Sequence, residues 1–459
     1  MRRYNQQRST ANLNNKTLQR EIQIMANNGN YKKSKIGNHA LKPETMMMSY
    51  GYDPQLSEGS VKPPVFLTST FAYQTPEEGE EFFHIMAGRK PAPEGNVGGL
   101  IYSRFNHPNV EIIEDRLSLF EGSERSVVCS SGMGAISAIL LAYLRPGDVI
   151  VQSAPLYGGT ETLIRKFLPE FNIQTGEFHD GLHEAGMLSS LRDASKKGRV
   201  AMVFIESPAN PTNSLVDFEA LNRVLDIIKL ETGHRPISVC DNTLMGPVFQ
   251  QAVPQGIDMA MYSLTKYVGG HSDLVAGAVC GSVEMLRPVR ATRGILGLNL
   301  DPHTSWMISR SLETLSIRMQ RSAASGHKVA QWIADNSYIS AKILHPDFIA
   351  DEAYQTVYKR QCSGPSSTFS FVLDVSKSDA FRLINNLSIF KSAVSLGGSE
   401  SLVCHPGSTT HSGVSADLRE KFGVTDGLIR LSIGLEHPDD LIADLDNAFC
   451  ATFKDAKSA

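Results

Sequence analysis

From Pro108 onward the chain alternates short continuous apolar runs with stretches in which apolar residues recur every three or four positions. Pro108 to Leu119 reads as a helix, with proline at its start and Glu111, Glu114 and Asp115 in the early turns. Ser126 to Cys129 reads as a short buried strand and Met133 to Leu144 as a helix stopped by Pro146-Gly147. Asp148 to Val151 is the next strand and Gly158 to Leu168 the next helix. Val200 to Ile205 is apolar throughout, as expected of a strand buried on both faces. A helix over Asp217 to Glu231 follows, then strands at Ile237–Cys240, Met259–Tyr262 and Leu274–Cys280. Strands alternating with helices of this length predict an α/β domain built on a mostly parallel sheet. Beyond it the pattern changes to one long helix, Thr304 to Asn336, and then to strands at Thr368–Asp374 and Leu428–Ile433. That reads as a smaller C-terminal α+β domain.

The division expected is a disordered basic tail over 1–50, an arm and insertion over 51–105, a large domain over 106–303 and the α+β domain over 304–459. Residues 1–50 hold nine Lys or Arg against only Glu21 and Glu44, and lack apolar periodicity. An Arg-rich, acid-poor start of this kind is also the pattern of an organelle transit peptide, with Met25 as an alternative start. Over the whole chain of 459 residues the charge is −4, which gives no general attraction to nucleic acid or anionic lipid. The longest apolar run, Ala135 to Leu144, is too short to span a bilayer. The six cysteines are widely spaced, with no CxxC pair, so reduced thiols and no structural zinc are expected. A cytoplasmic protein follows from these readings.

Ligands of open α/β sheets bind at the carboxyl ends of strands, and four such ends carry polar residues here. Cys129 is followed by Ser130-Ser131-Gly132-Met133-Gly134 at a helix start, either a plain serine cap or an anion site. Ile205 is followed by Glu206-Ser-Pro-Ala-Asn-Pro211, and Cys240 by Asp241-Asn242-Thr243. Tyr262 is followed by Ser263-Leu-Thr265-Lys266, a lysine flanked by hydroxyls and just past a core strand. Partial desolvation there would lower its pKa and free an amine. Singly these are ordinary strand termini. Together they ask for an aldehyde, a phosphate and a basic ring nitrogen, and pyridoxal 5′-phosphate (PLP) supplies all three.

The chain resembles the Cys/Met metabolism family of PLP enzymes, the group of cystathionine γ-synthases, cystathionine γ-lyases and methionine γ-lyases. The resemblance covers residues 60–455. It rests on Tyr102-Ser-Arg104, Ser131-Gly-Met-Gly-Ala135, Leu156-Tyr-Gly-Gly-Thr160, Glu206–Pro211, Asp241-Asn-Thr243, Ser263-Leu-Thr-Lys-Tyr267, Val394-Ser-Leu-Gly397 and Arg430–Glu436. It implies the PLP-dependent transferase fold of type I, with a seven-stranded sheet. It implies that Lys266 is the Schiff-base lysine, Asp241 the partner of the ring nitrogen and Tyr157 a ring-stacking acid and base. Gly132, Met133, Ser263 and Thr265 would hold the phosphate, joined by Tyr102 and Arg104 from a neighbouring subunit in a homotetramer of active dimers. Arg430, Ser395 and Asn210 would bind the substrate carboxylate; no metal is implied.

Within the family, Val394 stands where synthases and cystathionine lyases carry Glu, and Thr162 where mammalian-type cystathionine lyases carry Arg. Both changes favour a small apolar substrate tail. Gly159 replaces a cysteine typical of methionine γ-lyases, and Arg293-Gly294 stands in place of Lys-Asp. The expected activity is γ-elimination on methionine or a related sulfur amino acid, giving 2-oxobutanoate, ammonia and a thiol. The alternatives are cystathionine γ-lysis and γ-replacement on a homoserine ester, by a cystathionine γ-synthase or a sulfhydrylase. Residues Phe82 to Gly99 are expected to form an inserted loop ahead of Tyr102.

Overall fold

The structure, a computed structural model, describes residues 31–91, 99–336 and 338–453. The described parts of Met1–Pro64 and Tyr73–Gly99 form one compact unit, and those of Val65–Ala72 and Leu100–Ala459 another. In the first unit, Lys35–Ile36 pairs antiparallel with His39–Ala40, and a helical turn over Pro43–Met46 buries Met46 and Met47. This part of the expected tail is therefore structured. Its methionines supply apolar surface that the charge pattern hid. Residues 1–30 of that tail lie outside the described residues, as do 92–98 of the expected loop. The start of that loop is instead a helix, Pro76–Met86, capped by Thr75 Oγ1, which accepts from Glu78 N at 3.2 Å.

The second unit carries two sheets. Strands β1 (Arg125–Cys129), β2 (Asp148–Ser153), β3 (Gln174–Phe178), β4 (Arg199–Glu206), β5 (Ile237–Asp241), β6 (Met259–Ser263) and β7 (Gly277–Gly281) form a seven-stranded sheet. Their order across it is β1-β7-β6-β5-β4-β2-β3. β7 is antiparallel to both its neighbours, β1 and β6, while the remaining pairings are parallel. Every residue of β4 after Arg199 is buried, as its unbroken apolar run predicts. Helix α1 (Pro108–Glu121) has proline in its first turn and ends at Gly122 in the left-handed region. Helix α2 (Gly132–Tyr143) starts at the end of β1, capped by Ser131 Oγ, which accepts from Gly134 N at 2.9 Å. Ile136, Ile139, Ile150, Phe204, Met259 and Val279 form the core between α2 and the sheet.

Two expected helices are modified. Gly158–Leu168 is a short helix α3 (Gly158–Thr162) that widens into a π turn over Leu163–Phe167, ahead of Pro169, whose missing N–H ends the regular ladder. The long helix is two, α7 (Pro302–Leu312) and α8 (Leu315–Asp335), numbered after α4 (Glu184–Ser195), α5 (Phe218–Thr232) and α6 (Val283–Leu296). The break has a cause in Arg318. Its buried guanidinium takes the carbonyl of Ser311 at 3.0 Å, and Thr314 N then closes a tighter bond onto the same oxygen at 3.2 Å.

The smaller sheet has the order β8-β9-β12-β11-β10, from β8 (Ala341–Leu344), β9 (Thr368–Leu373), β10 (Lys391–Ser392), β11 (Leu402–Cys404) and β12 (Leu428–Ser432). Phe369, Phe371, Leu431 and Phe449 pack over it. Among the described residues no helix is long and apolar enough to cross a membrane.

Candidate active site

A cavity of about 560 Å³ lies at the carboxyl ends of β1, β4, β5 and β6, closed on one side by Val394-Ser395-Leu396 and Arg430 of the smaller sheet region. Ten of the twelve residues expected from the sequence line it: Lys266, Tyr157, Asp241, Gly132, Met133, Ser263, Thr265, Arg430, Ser395 and Asn210. Tyr102 and Arg104 do not. Tyr102 forms an isolated bridge with Thr70, and Arg104 donates to the Gly294 carbonyl at 2.9 Å with its guanidinium 4.3 Å from the Phe105 ring centre.

Lys266 sits in the turn that leaves β6, where Nζ donates to Ser395 Oγ at 2.9 Å. Burial, reinforced by the positive charge of Arg430 and opposed by Asp241, lowers its pKa to about 8. Asp241 ends β5, and Oδ1 accepts from Thr243 Oγ1 at 2.6 Å and Thr243 N at 3.1 Å. Burial still raises it to about 6, against the hydrogen bonds of Thr243 and the charge of Lys266. Ser395 has φ +94°, a conformation costly for a residue with a side chain, and its carbonyl accepts from Arg430 Nη2 at 2.7 Å. Arg430 Nη1 donates to Asn210 Oδ1 at 2.9 Å, whereas its Nε, although buried, has no hydrogen-bond partner among the described residues.

Glu206 is the residue the sequence reading passed over as a site residue. It ends β4 directly beside Asp241 and accepts from the backbone N of Tyr157 at 2.6 Å and of Asn210 at 2.7 Å. Burial, with the negative charge of Asp241, pushes its pKa well above the carboxylate range. Its signal was available as the first residue of Glu206-Ser-Pro-Ala-Asn-Pro211. His411 lies outside the cavity lining; it is buried, and burial together with the charge of Arg430 lowers its pKa to about 4. Nothing in the apolar pattern marked it.

The donor set fits PLP. A primary amine of lowered pKa and a buried carboxylate lie on one cavity wall system with two hydroxyls, of Ser263 and Thr265, and the N–H end of α2. Close approach makes this cradle possible: a Cβ on Gly277 would lie 2.2 Å from the Ser131 carbonyl, so only glycine lets β7 pass beneath the start of α2.

A family model described as Cys/Met metabolism PLP-dependent enzyme matches residues 44–450. The chain belongs to that family. It is a PLP-dependent enzyme of sulfur amino-acid metabolism with the seven-stranded fold expected of it. It is 33% identical over 410 residues to the L-methionine gamma-lyase of Pseudomonas putida, covering 89% of this chain and 97% of that one. It is 32% identical to the O-succinylhomoserine sulfhydrylase of Mycobacterium tuberculosis, covering 84% and 90%. Among solved structures, cystathionine gamma synthase from Xanthomonas oryzae pv. oryzae matches with a TM-score of 0.78 at 29% identity, covering 90% of this chain and 98% of that one.

Proposed function

We propose that this enzyme catalyses γ-elimination on methionine or a related sulfur amino acid, releasing 2-oxobutanoate, ammonia and a thiol. The observation that carries this reading is the lining of the cavity. Glu206, Asp241, Lys266 and Arg430 are its only charged side chains among the described residues, and Ile136, Leu244, Val275, Val394 and Leu396 make much of the remainder apolar. Such a pocket suits an apolar tail and offers no cation for a second carboxylate beyond Arg430. Thr162, at the position where some relatives place Arg, spends its hydroxyl on the Gly158 carbonyl at 2.9 Å. The kinship with methionine γ-lyases agrees with this reading.

Bound PLP supplies an electron sink for charge developing at the substrate Cα. Arg430 takes the α-carboxylate, its fork pre-set by Asn210 and the strained Ser395 carbonyl. Lys266 removes the Cα proton and returns it further along the substrate; Ser395 Oγ holds Nζ between these transfers. Asp241 supplies the negative charge for the ring nitrogen, steadied by Thr243. Tyr157, positioned through its backbone by Glu206, serves as base to the incoming amine and acid to the leaving thiolate. Gly132, Met133, Ser263 and Thr265 hold the phosphate. Tyr102 and Arg104 reach the phosphate of a neighbouring subunit, within a homotetramer of active dimers.

Gly159 favours a second reading, γ-replacement on a homoserine ester, because it leaves the wall beside Tyr157 without the thiol typical of methionine γ-lyases. The two separate on incubation of the PLP-loaded enzyme with L-methionine, cystathionine, O-acetylhomoserine and O-succinylhomoserine, each with and without cysteine or sulfide. γ-Elimination predicts keto acid and thiol from methionine alone. Rapid thiol-dependent consumption of an ester, with no keto acid from methionine, would replace it by γ-replacement.

A further inference from the structure

Glu206 sits where two segments of the cavity wall meet, and its hydrogen bonds reach both. Oε2 accepts from Tyr157 N at 2.6 Å, in the loop between β2 and α3. Oε1 accepts from Asn210 N at 2.7 Å, in the turn that follows β4. Asn210 Oδ1 in turn accepts from Arg430 Nη1 at 2.9 Å. The backbone of Glu206 is fixed as well, its N–H donating to Ser153 Oγ at 3.0 Å. One carboxylate thus connects Tyr157, through one oxygen, with the Asn210–Arg430 fork, through the other.

This residue type is a costly one here. Glu206 is 3% exposed and ends β4 beside Asp241, so burial and like charge both oppose its ionised form. Glutamine would have nearly the same shape without the charge. It has a single acceptor oxygen, however, and its NH2 would face the other backbone N–H donor to donor. Two N–H groups converging from separate segments are matched by the two oxygens of a carboxylate. The match matters for Tyr157 in particular. That side chain is 42% exposed, so packing alone holds it loosely and the backbone anchor decides where its hydroxyl points.

We infer that Glu206 is a positioning residue that anchors both halves of the substrate site, the Tyr157 acid–base group and the Arg430 carboxylate fork, to one point. The inference rests on the roles proposed above for those two residues. Glu206→Gln leaves one N–H without an acceptor and gives the other a weaker, uncharged one, so both arms loosen.

The test uses full-length, PLP-loaded enzyme. Turnover is measured with L-methionine. Binding is measured with L-norleucine, which has methionine's length but no leaving group, and is read by the cofactor's absorbance. At full cofactor occupancy, Glu206→Gln should lower kcat by about tenfold or more and weaken L-norleucine binding by about tenfold. The kcat loss should not deepen when Glu206→Gln is added to Tyr157→Phe, nor the affinity loss when it is added to Asn210→Ala, because each pair acts through one contact. Ser153→Ala, which frees the Glu206 backbone, should shift both readouts in the same direction, and it carries the test if Glu206→Gln fails to hold the cofactor. Wild-type kcat and affinity in these variants, a change confined to one of the two, or additive losses in either pair would overturn the inference. If Tyr157→Phe alone spares kcat and Asn210→Ala alone spares affinity, the roles it rests on have failed instead, and it falls with them.

Discussion

At the scale of single residues, the site depends on burial changing what ordinary side chains can do. Lys266 and Asp241 have their pKa values displaced towards each other, to about 8 and about 6, chiefly because each is taken out of water. In the cofactor-free protein the consequence has a definite sign. Between pH about 8 and 10.5 the unfolded chain keeps a proton on this lysine that the folded chain has lost. Stability therefore rises with pH across that window relative to Lys266→Met, and falls to a constant deficit below it. Denaturant midpoints of the two proteins, measured from pH 7 to 10.5, check this. Asp241→Asn keeps the shape and removes the charge, and should lower kcat by about 10²-fold or more while leaving the fold intact. For Arg430→Lys, the loss of the planar fork should appear mainly as a raised KM for the amino acid, by about tenfold. Steady-state kinetics with L-methionine separates these two effects.

At the scale of elements, the strand ends converge because their neighbours leave them room or hold them still. Gly277→Ala would drive a methyl into the Ser131 carbonyl, separating β7 from the start of α2. A lower Tm together with weaker PLP affinity is the expected outcome, read by thermal melts and cofactor titration. Arg318 secures the turn after Lys266 by donating to the carbonyls of Tyr267 at 2.7 Å and Val268 at 3.2 Å. It packs so closely on Gly270, at φ +70°, that a Cβ there would sit 1.8 Å from its Nη1. Arg318→Leu removes the donor from these two carbonyls, and should destabilise the protein by about 3 kcal/mol or more. The apolar pattern made the central strands legible, because each is buried on both faces and says so in Val, Ile, Met and Phe. It did not reveal β3, whose sequence Gln-Thr-Gly-Glu-Phe buries only Phe178, as an edge strand can. Nor could it reveal that β7 runs against its neighbours, since side-chain periodicity is the same in either direction. The break between α7 and α8 was hidden for another reason: it depends on the Arg318 side chain reaching back to the Ser311 carbonyl, a polar contact that apolar periodicity does not encode.

At the scale of the whole molecule, ten of the twelve expected site residues meet within one chain, and the two that do not are those expected to serve a neighbouring subunit. On those expected roles, a dimer would be the smallest active unit. Chains inactivated by Lys266→Ala and by Arg104→Ala should therefore regain activity when mixed and allowed to exchange subunits. Each hybrid dimer would contain one site in which both residues are intact. Recovery of roughly a quarter of wild-type activity is expected for an equal mixture in which each site acts alone and both Lys266 and Arg104 are needed, by random pairing. No recovery, despite demonstrated exchange, would place Arg104 in its own chain's site.

On the proposed mechanism, the cavity at the strand ends carries PLP on Lys266. Borohydride reduction of the PLP-loaded enzyme, followed by peptide mass spectrometry, reads this directly. The predicted result is one phosphopyridoxyl group per chain on the peptide containing Lys266, absent from Lys266→Ala. A label on a different lysine, or one that persists unchanged in Lys266→Ala, would contradict it.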